Sequence, residues 1–169
     1  MEQNVNHKIE FKEKLITFYN SNKLKIFICL SFLVIIVISI TIFEINNKKS
    51  NDMIAEKYVE ASLYLNTDKK EKSIEIYEEI IFSRNNFYSI LSLNMILEKN
   101  LVPDKDKILN YFKTIEGKNL SDEQIDLIVF KKALYLIKIS NIEEGNNLLK
   151  NLIDKNSKLK TLAEEILVK

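Results

Sequence analysis

The sequence contains almost none of the residues on which common catalytic and metal-binding sites depend. Among its 169 residues there is one cysteine, Cys29, and one histidine, His7. A single cysteine excludes a disulfide framework and a thiolate metal site. The familiar catalytic triads and zinc sites are also excluded from everything after residue 29. We therefore expect no enzymatic activity, no metal and no cofactor.

Glycine and proline are also scarce, with two Gly and one Pro in the whole chain. This scarcity favours an all-helical fold. Because Gly117 and Gly145 stand alone, no glycine-rich phosphate loop is present. Five basic and three acidic residues precede residue 26, which leaves 20 basic and 21 acidic residues after it. A chain so nearly balanced in charge offers no basic face to nucleic acid.

Charged residues are absent from residues 26–43, which form one apolar run of 18 residues. As a helix this run would be about 27 Å long, close to the hydrocarbon thickness of a bilayer. A cleaved signal peptide has a shorter apolar stretch and a small-x-small cleavage site, whereas Glu44-Ile45-Asn46 follows here. A core helix of a soluble domain is rarely free of charge for so long. The run therefore predicts an uncleaved transmembrane helix, in which Cys29, Ser31, Ser39 and Thr41 are small enough to satisfy their polar groups against the helix backbone.

Lysines are more numerous before this run than after it. Five precede it, and within about 20 residues three follow it, Lys48, Lys49 and Lys57. The positive-inside rule therefore predicts a cytoplasmic N-terminus and an extracytoplasmic C-terminal part.

A short amphipathic helix is predicted within the first 25 residues. Phe11, Leu15, Phe18 and Tyr19 follow a helical spacing and form one apolar stripe among lysines. This helix either lies on the cytoplasmic leaflet or extends the transmembrane helix, with residues 20–22 as a joint.

The remaining sequence predicts helices paired into hairpins. Ser121 and Gln124 form a capping box, with Leu120 and Ile125 placed as a hydrophobic staple, and Asn141 with Glu144 repeats the capping pattern. The fourth helix opens at Pro103 and carries an apolar stripe. The predicted helices cover residues 53–65, 69–82, 87–98, 103–115, 122–139, 141–153 and 158–168.

Small residues recur at a fixed spacing in these hairpins. Two sets share spacings of 12 and 4 residues and lie 72 residues apart: Ala61, Ser73 and Tyr77, and Ala133, Gly145 and Leu149. Small residues at the first two positions allow two helices to approach closely, which is typical of a tetratricopeptide repeat. The alternative is a generic α-helical hairpin bundle in which the spacing has arisen by chance.

The predicted fold is therefore all-α, with one N-terminal transmembrane helix followed by a short tetratricopeptide-like solenoid of helical hairpins. Its predicted parts are a cytoplasmic segment (1–25), the transmembrane helix (26–43), a linker (44–52) and the repeat domain (53–169).

Three stretches together resemble a known family. They are "ITFYNSNKLKIFI", "NNFYSILSLNMILEKN" and "LIVFKKALYLIKISNIEEGNNLLKNLI". They are similar to the bacterial YfgM-like family, the tetratricopeptide-like ancillary subunit of the SecYEG translocon. The resemblance implies a protein of the inner membrane with a periplasmic domain and no catalytic activity. It also implies contacts with translocon subunits, a periplasmic chaperone or nascent secreted chains. An envelope or cell-division scaffold is the alternative.

In tetratricopeptide arrays the first helix of each pair lines the concave side, and this register predicts a partner-binding surface. It places Tyr58, Ser62 and Leu65 there in the first repeat, and Leu127, Phe130, Leu134 and Lys138 in the last. Helix 122–139 is apolar almost all round, so it forms either a groove or core packing against the C-terminal helix. The adjacent carboxylates Glu78 and Glu79 are expected on a solvated face.

Overall fold

The computed structural model describes residues 2–168, without the side chains of residues 2–11, 15, 26, 29 and 30. Within this range the regular structure is entirely α-helical, which confirms the all-α part of the predicted fold. Seven helices follow one another: α1 (Glu2–Asn66), α2 (Lys70–Phe82), α3 (Asn86–Glu98), α4 (Lys105–Glu116), α5 (Asp122–Lys138), α6 (Ile142–Asp154) and α7 (Lys160–Leu167). The chain divides into two units at Ser50 and Asn51, and α1 contributes residues to both.

One helix near the N-terminus is long and apolar enough to span a membrane, and the described part of this candidate span is Ser31–Asn66. Its apolar side chains up to Phe43 are exposed. The Ser39 hydroxyl donates to the carbonyl of Ile35 at 2.8 Å, and the Thr41 hydroxyl donates to Val37 at 2.9 Å. Both polar side chains are therefore satisfied within the helix, as predicted, which lowers the cost of placing them in hydrocarbon.

Helix α1 has no break where the sequence predicts a joint at 20–22 and a linker at 44–52. Both stretches are polar but contain neither glycine nor proline, so nothing in them interrupts the backbone hydrogen bonds. Phe18 and Tyr19 of the predicted amphipathic stripe are exposed. The side chains of Phe11 and Leu15 lie outside the described residues.

The predicted helix starts are partly confirmed. Ser121 and Gln124 form the full capping box, with the Gln124 N–H donating to Ser121 Oγ at 3.3 Å. Asn141 is the N-cap residue of α6, as predicted, but its side chain accepts no backbone hydrogen bond, so the predicted capping pattern is not formed. Its amide instead donates to the Glu144 carboxylate at 2.6 Å. Asn141 has ψ 64°, outside the extended conformation that an N-cap side chain needs to reach back into the first turn.

The helices α1, α3, α5 and α6 end in the same way. After each, a residue with positive φ follows the helix, and the next N–H donates to a carbonyl five residues back. This is the bonding pattern of a Schellman motif, which usually employs glycine. This chain uses Asp68, Asn100, Ser140 and Asn156 at the positive-φ positions. The α1–α2 and α5–α6 turns also share their length of three residues, whereas the α3–α4 connection has six. Aspartate and asparagine adopt this conformation more readily than other non-glycine residues.

Buried side chains form two core clusters. The first core cluster joins residues of α1, α2, α3, α4 and the start of α5, and the second joins residues of α5, α6 and α7. The residues of the predicted spacing are all buried: Ala61, Ser73, Tyr77, Ala133, Gly145 and Leu149. The predicted stripe of α4 is buried as well: Ile108, Tyr111, Phe112 and Ile115.

Candidate binding surface

The predicted residues of the first repeat lie together on α1 and are all half-buried: Tyr58, Ser62 and Leu65. The Ser62 hydroxyl donates to the carbonyl of Tyr58 at 3.0 Å and lies 2.9 Å from the Tyr77 hydroxyl. The Tyr58 ring centroid lies 5.6 Å from those of Tyr77 and Tyr88. The Ser62 hydroxyl is thus already engaged within the fold, and the three tyrosine rings pack beside it.

The pKa of the Tyr58 hydroxyl depends partly on residues of α3. Burial raises the pKa of its hydroxyl, and the neighbouring Tyr77, the Glu98 carboxylate and Tyr88 raise that pKa further. Glu98 is the last residue of α3. Its electrostatic influence on Tyr58 means that the first helices of two successive hairpins contribute to the same electrostatic environment.

The four predicted residues of α5 do not share one environment. Leu127 packs against the first core cluster, whereas Phe130 packs against the second, which includes α7. Leu134 is 37% exposed and Lys138 is exposed. Phe130 therefore takes part in core packing, the alternative that the sequence left open, while it and Leu127 are half-buried and Leu134 and Lys138 are the most accessible of the four.

Leu134 and Lys138 line a shallow cavity of about 200 Å³ between the C-terminal parts of α3 and α5. We call this cavity the α3–α5 groove. It is lined by Leu97, Glu98, Lys131, Leu134, Tyr135 and Lys138. The Lys138 ammonium donates to Asn100 Oδ1 at 3.3 Å. The groove combines a partly apolar lining with charged groups, an arrangement that suits a protein segment better than a small polar metabolite.

The sequence did not point to four of these lining residues: Leu97, Glu98, Lys131 and Tyr135. Lys131 and Tyr135 follow Leu127 at helical spacing, so the α5 stripe itself could have included them. Leu97 and Glu98 belong to α3, whose apolar residues are distributed around the helix and give no preferred face. Only the packing of α3 against its neighbours brings them to the groove.

A second, larger cavity of about 320 Å³ lies between the start of α5 and the turn from α6 to α7. Its charged groups are paired with one another. Asp126 accepts hydrogen bonds from Ser157 and forms an ion pair with Lys155. Lys158 lies 3.0 Å from Glu123. The pairing ties the α6–α7 turn to α5, so this cavity is best explained as part of the fold.

The ion pairs of this cavity predict a loss of stability in acid. Burial alone would raise the pKa of Asp126, but hydrogen bonds from Lys155 and Ser157, with the Lys155 charge, lower it overall. A carboxylate with a lower pKa in the folded state stabilises that state above its unfolded pKa. This contribution is lost as pH falls through the folded pKa. We expect the melting temperature of the full chain in micelles to fall less below pH 4 in Asp126→Asn than in the wild type, measured by circular dichroism. Parallel pH curves would contradict this.

The carboxylates of Glu78 and Glu79 lie in different environments, and the burial of Glu78 differs from the prediction. Glu79 is exposed and pairs with Lys57. Glu78, expected on a solvated face, is only 22% exposed at its side chain, pairs with Lys107 and accepts a hydrogen bond from Tyr111. Burial, and then this hydrogen bond, raises the pKa of the Tyr111 hydroxyl. Glu78 therefore joins α2 to α4, and the two carboxylates do not converge on one point.

Comparisons with protein-family models, with curated proteins and with solved structures find no match for this chain.

Proposed function

We propose that this chain is a membrane-anchored, extracytoplasmic module for protein–protein interaction. The observation that carries the proposal is the α3–α5 groove, an accessible and partly apolar cavity on the first helices of two successive hairpins. Grooves lined by apolar side chains and a few charges are typical of surfaces that bind protein segments. The same chain contains a helix that is long and apolar enough to cross a membrane.

Residues 26–43 are the proposed transmembrane anchor, with the N-terminus in the cytoplasm. The excess of lysines before the run supports this orientation. In a Cys29→Ser background, a cysteine placed at Ser50 should react with a membrane-impermeant thiol reagent added to intact spheroplasts. Reaction only after lysis would reverse the orientation.

The helical hairpins of residues 53–169, which we call the hairpin unit, are proposed to form a tetratricopeptide-like solenoid. The buried small residues of the two spaced sets and the three-residue turn shared by the hairpins α1–α2 and α5–α6 support this. Repetition of one supersecondary unit with the same turn is what distinguishes a solenoid from an irregular bundle. In such an array the first helices line one face, which is where the groove lies.

The proposed partners are translocon subunits, a periplasmic chaperone or nascent secreted chains at the bacterial inner membrane. The sequence resemblance to the YfgM-like family supports this part of the proposal. The second candidate is an envelope or cell-division scaffold with the same anchor and the same groove. The two differ in the identity of the partner and not in the surface that binds it.

Site-specific crosslinking tests the proposed function. A photoreactive phenylalanine analogue at Leu134, on the groove, should form adducts with a translocon subunit or chaperone in native membranes. The same analogue at the exposed Lys150 of α6 is the matched control and should form few. Adducts with other envelope proteins would favour the scaffold. Equal adducts from both positions, or none from Leu134, would contradict the proposed binding surface.

Two truncations separate binding from folding. Leu134→Ala should weaken the crosslinked complex while leaving the melting temperature nearly unchanged, because Leu134 is 37% exposed. Phe130→Ala should lower stability by on the order of 2 kcal/mol, less than the roughly 3–5 kcal/mol of a fully buried phenylalanine. Equal stability loss in both variants would place Leu134 in the core.

A further inference from the structure

Two lysines of the α3–α5 groove have no acidic partner among the described residues. Lys131 is half-buried and forms no ion pair there, and the polar contact of Lys138 is the neutral amide of Asn100. Glu98 lines the same groove and is not paired with either lysine among the described residues. By contrast, the adjacent Lys132 lies 3.0 Å from Glu116. Two ammonium groups and one carboxylate give the lining residues a net positive charge, and the carboxylates of Asp104 and Asp106 act on Tyr135 from beside the groove.

The lining beside these lysines is apolar. Leu97, Leu134 and Tyr135 contribute it, and Leu134 is 37% exposed. A half-buried ammonium gains more from a carboxylate than an exposed one does, because the surrounding apolar groups exclude water and reduce screening. The groove therefore complements a segment that carries both apolar side chains and carboxylates.

The spacing of the lysines limits the geometry of such a segment. Lys131 and Lys138 are seven residues apart on α5, so their Cα atoms are separated by about 10 Å along the helix axis. Carboxylates seven residues apart on a helix have the same separation and lie on the same face of that helix. The intervening residues of the segment would then lie over Leu134.

We propose that the α3–α5 groove binds an acidic, amphipathic segment of a partner protein. Its carboxylates face Lys131 and Lys138, and an apolar side chain between them contacts Leu134. Glu98 disfavours a third carboxylate at its end of the groove, so the segment has a neutral or basic residue there. This assignment rests on the proposed function, because it names the chemistry of the partner at the same surface.

The probe is a library of random 12-residue peptides displayed on phage. It is selected against the full chain in nanodiscs of neutral phosphatidylcholine, which offer no anionic lipid to the lysines. Selected peptides are then synthesised, and their affinities are measured by fluorescence anisotropy. The variants are the double substitution Lys131→Gln with Lys138→Gln, the single substitution Glu98→Gln, and Lys150→Gln as the control with the same charge change on an exposed face.

The expected selected peptides carry Asp or Glu pairs seven residues apart, with apolar residues between them. The double lysine variant should bind them about tenfold more weakly, and Glu98→Gln should bind them about twofold more tightly. Lys150→Gln should bind like the wild type. Added salt should weaken binding to the wild type more than to the double variant.

Selected peptides without acidic pairs, or peptides whose affinity is unchanged in the double lysine variant, would overturn the assignment. Failure to select any peptide would also overturn the assignment. None of these results would by itself contradict protein binding, since adducts from Leu134 in native membranes report on that independently. If the adducts are also absent, the proposed function fails together with the assignment. Unchanged melting temperatures of the glutamine variants exclude unfolding as the cause of weaker binding.

Discussion

Replacing Gly145 with alanine is expected to destabilise the hairpin unit by about 1–3 kcal/mol, although the change adds only one methyl group. The added Cβ would lie 2.7 Å from Ile137 Cγ1 and 2.8 Å from the carbonyl oxygen of Ala133. The side chain of Ile137 could rotate, but the carbonyl belongs to the backbone of α5. The two helices would therefore have to separate, at the cost of the contacts made by the buried Leu149 and Leu152.

Gly117 provides the matched control. A Cβ there would meet only two backbone oxygens at 3.6 Å, and its φ of −77° suits any residue. Gly117→Ala should leave stability unchanged or raise it by up to about 1 kcal/mol, because alanine loses less backbone entropy on folding. Urea unfolding of the full chain in micelles, followed by circular dichroism, measures both variants. Equal shifts would show that α5 and α6 are not closely packed at Gly145.

The close approach at Gly145 could be predicted from the sequence because it depends on local spacing. Ala133 and Gly145 are 12 residues apart, across a turn whose length the sequence fixes. The stripe of α4 was predictable for the same reason, since Ile108, Phe112 and their neighbours recur at helical spacing. Such patterns indicate which side of a helix is buried, but they do not indicate which other helix covers it.

Continuity of α1 was harder to predict, because two tendencies compete in residues 44–52. Their polar composition is typical of a linker, while the absence of glycine and proline allows the helix to continue. The structure shows that the second tendency prevails. At Asn141 the local pattern failed for a different reason. The turn that ends α5 sets the backbone of Asn141, and that conformation precludes the cap.

Part of the candidate binding surface could not be predicted, because it depends on contacts between distant residues. Phe130 and Leu134 are both large apolar residues of α5 and are one turn apart. The second core cluster, which includes residues of α7, covers part of Phe130, whereas Leu134 lines the groove beside Leu97 of α3. Periodicity within α5 alone does not reveal which neighbour covers which side chain.

Placing arginine at both Ile35 and Ile38 is expected to release most of the chain from membranes. These residues lie near the centre of the apolar run 26–43, and their side chains are exposed in the structure. An arginine at the centre of a transmembrane helix raises the free energy of membrane insertion by about 2.5–3.5 kcal/mol, whereas an isoleucine lowers it slightly. The pair therefore costs roughly 6 kcal/mol or more, and adjacent positions offer no charged partner to offset it.

The matched control places two arginines at Val59 and Leu63, which are 67% and 62% exposed on α1. These positions lie in the same helix, and within the candidate span Ser31–Asn66, but outside the charge-free run. Because we assign only residues 26–43 to the bilayer, the control variant should remain in the pellet after carbonate washing, like the wild type. The Ile35 and Ile38 variant should move to the supernatant or fail to accumulate. If Val59 and Leu63 prove to be the sensitive positions, the membrane-spanning part of α1 lies further along the helix than residue 43.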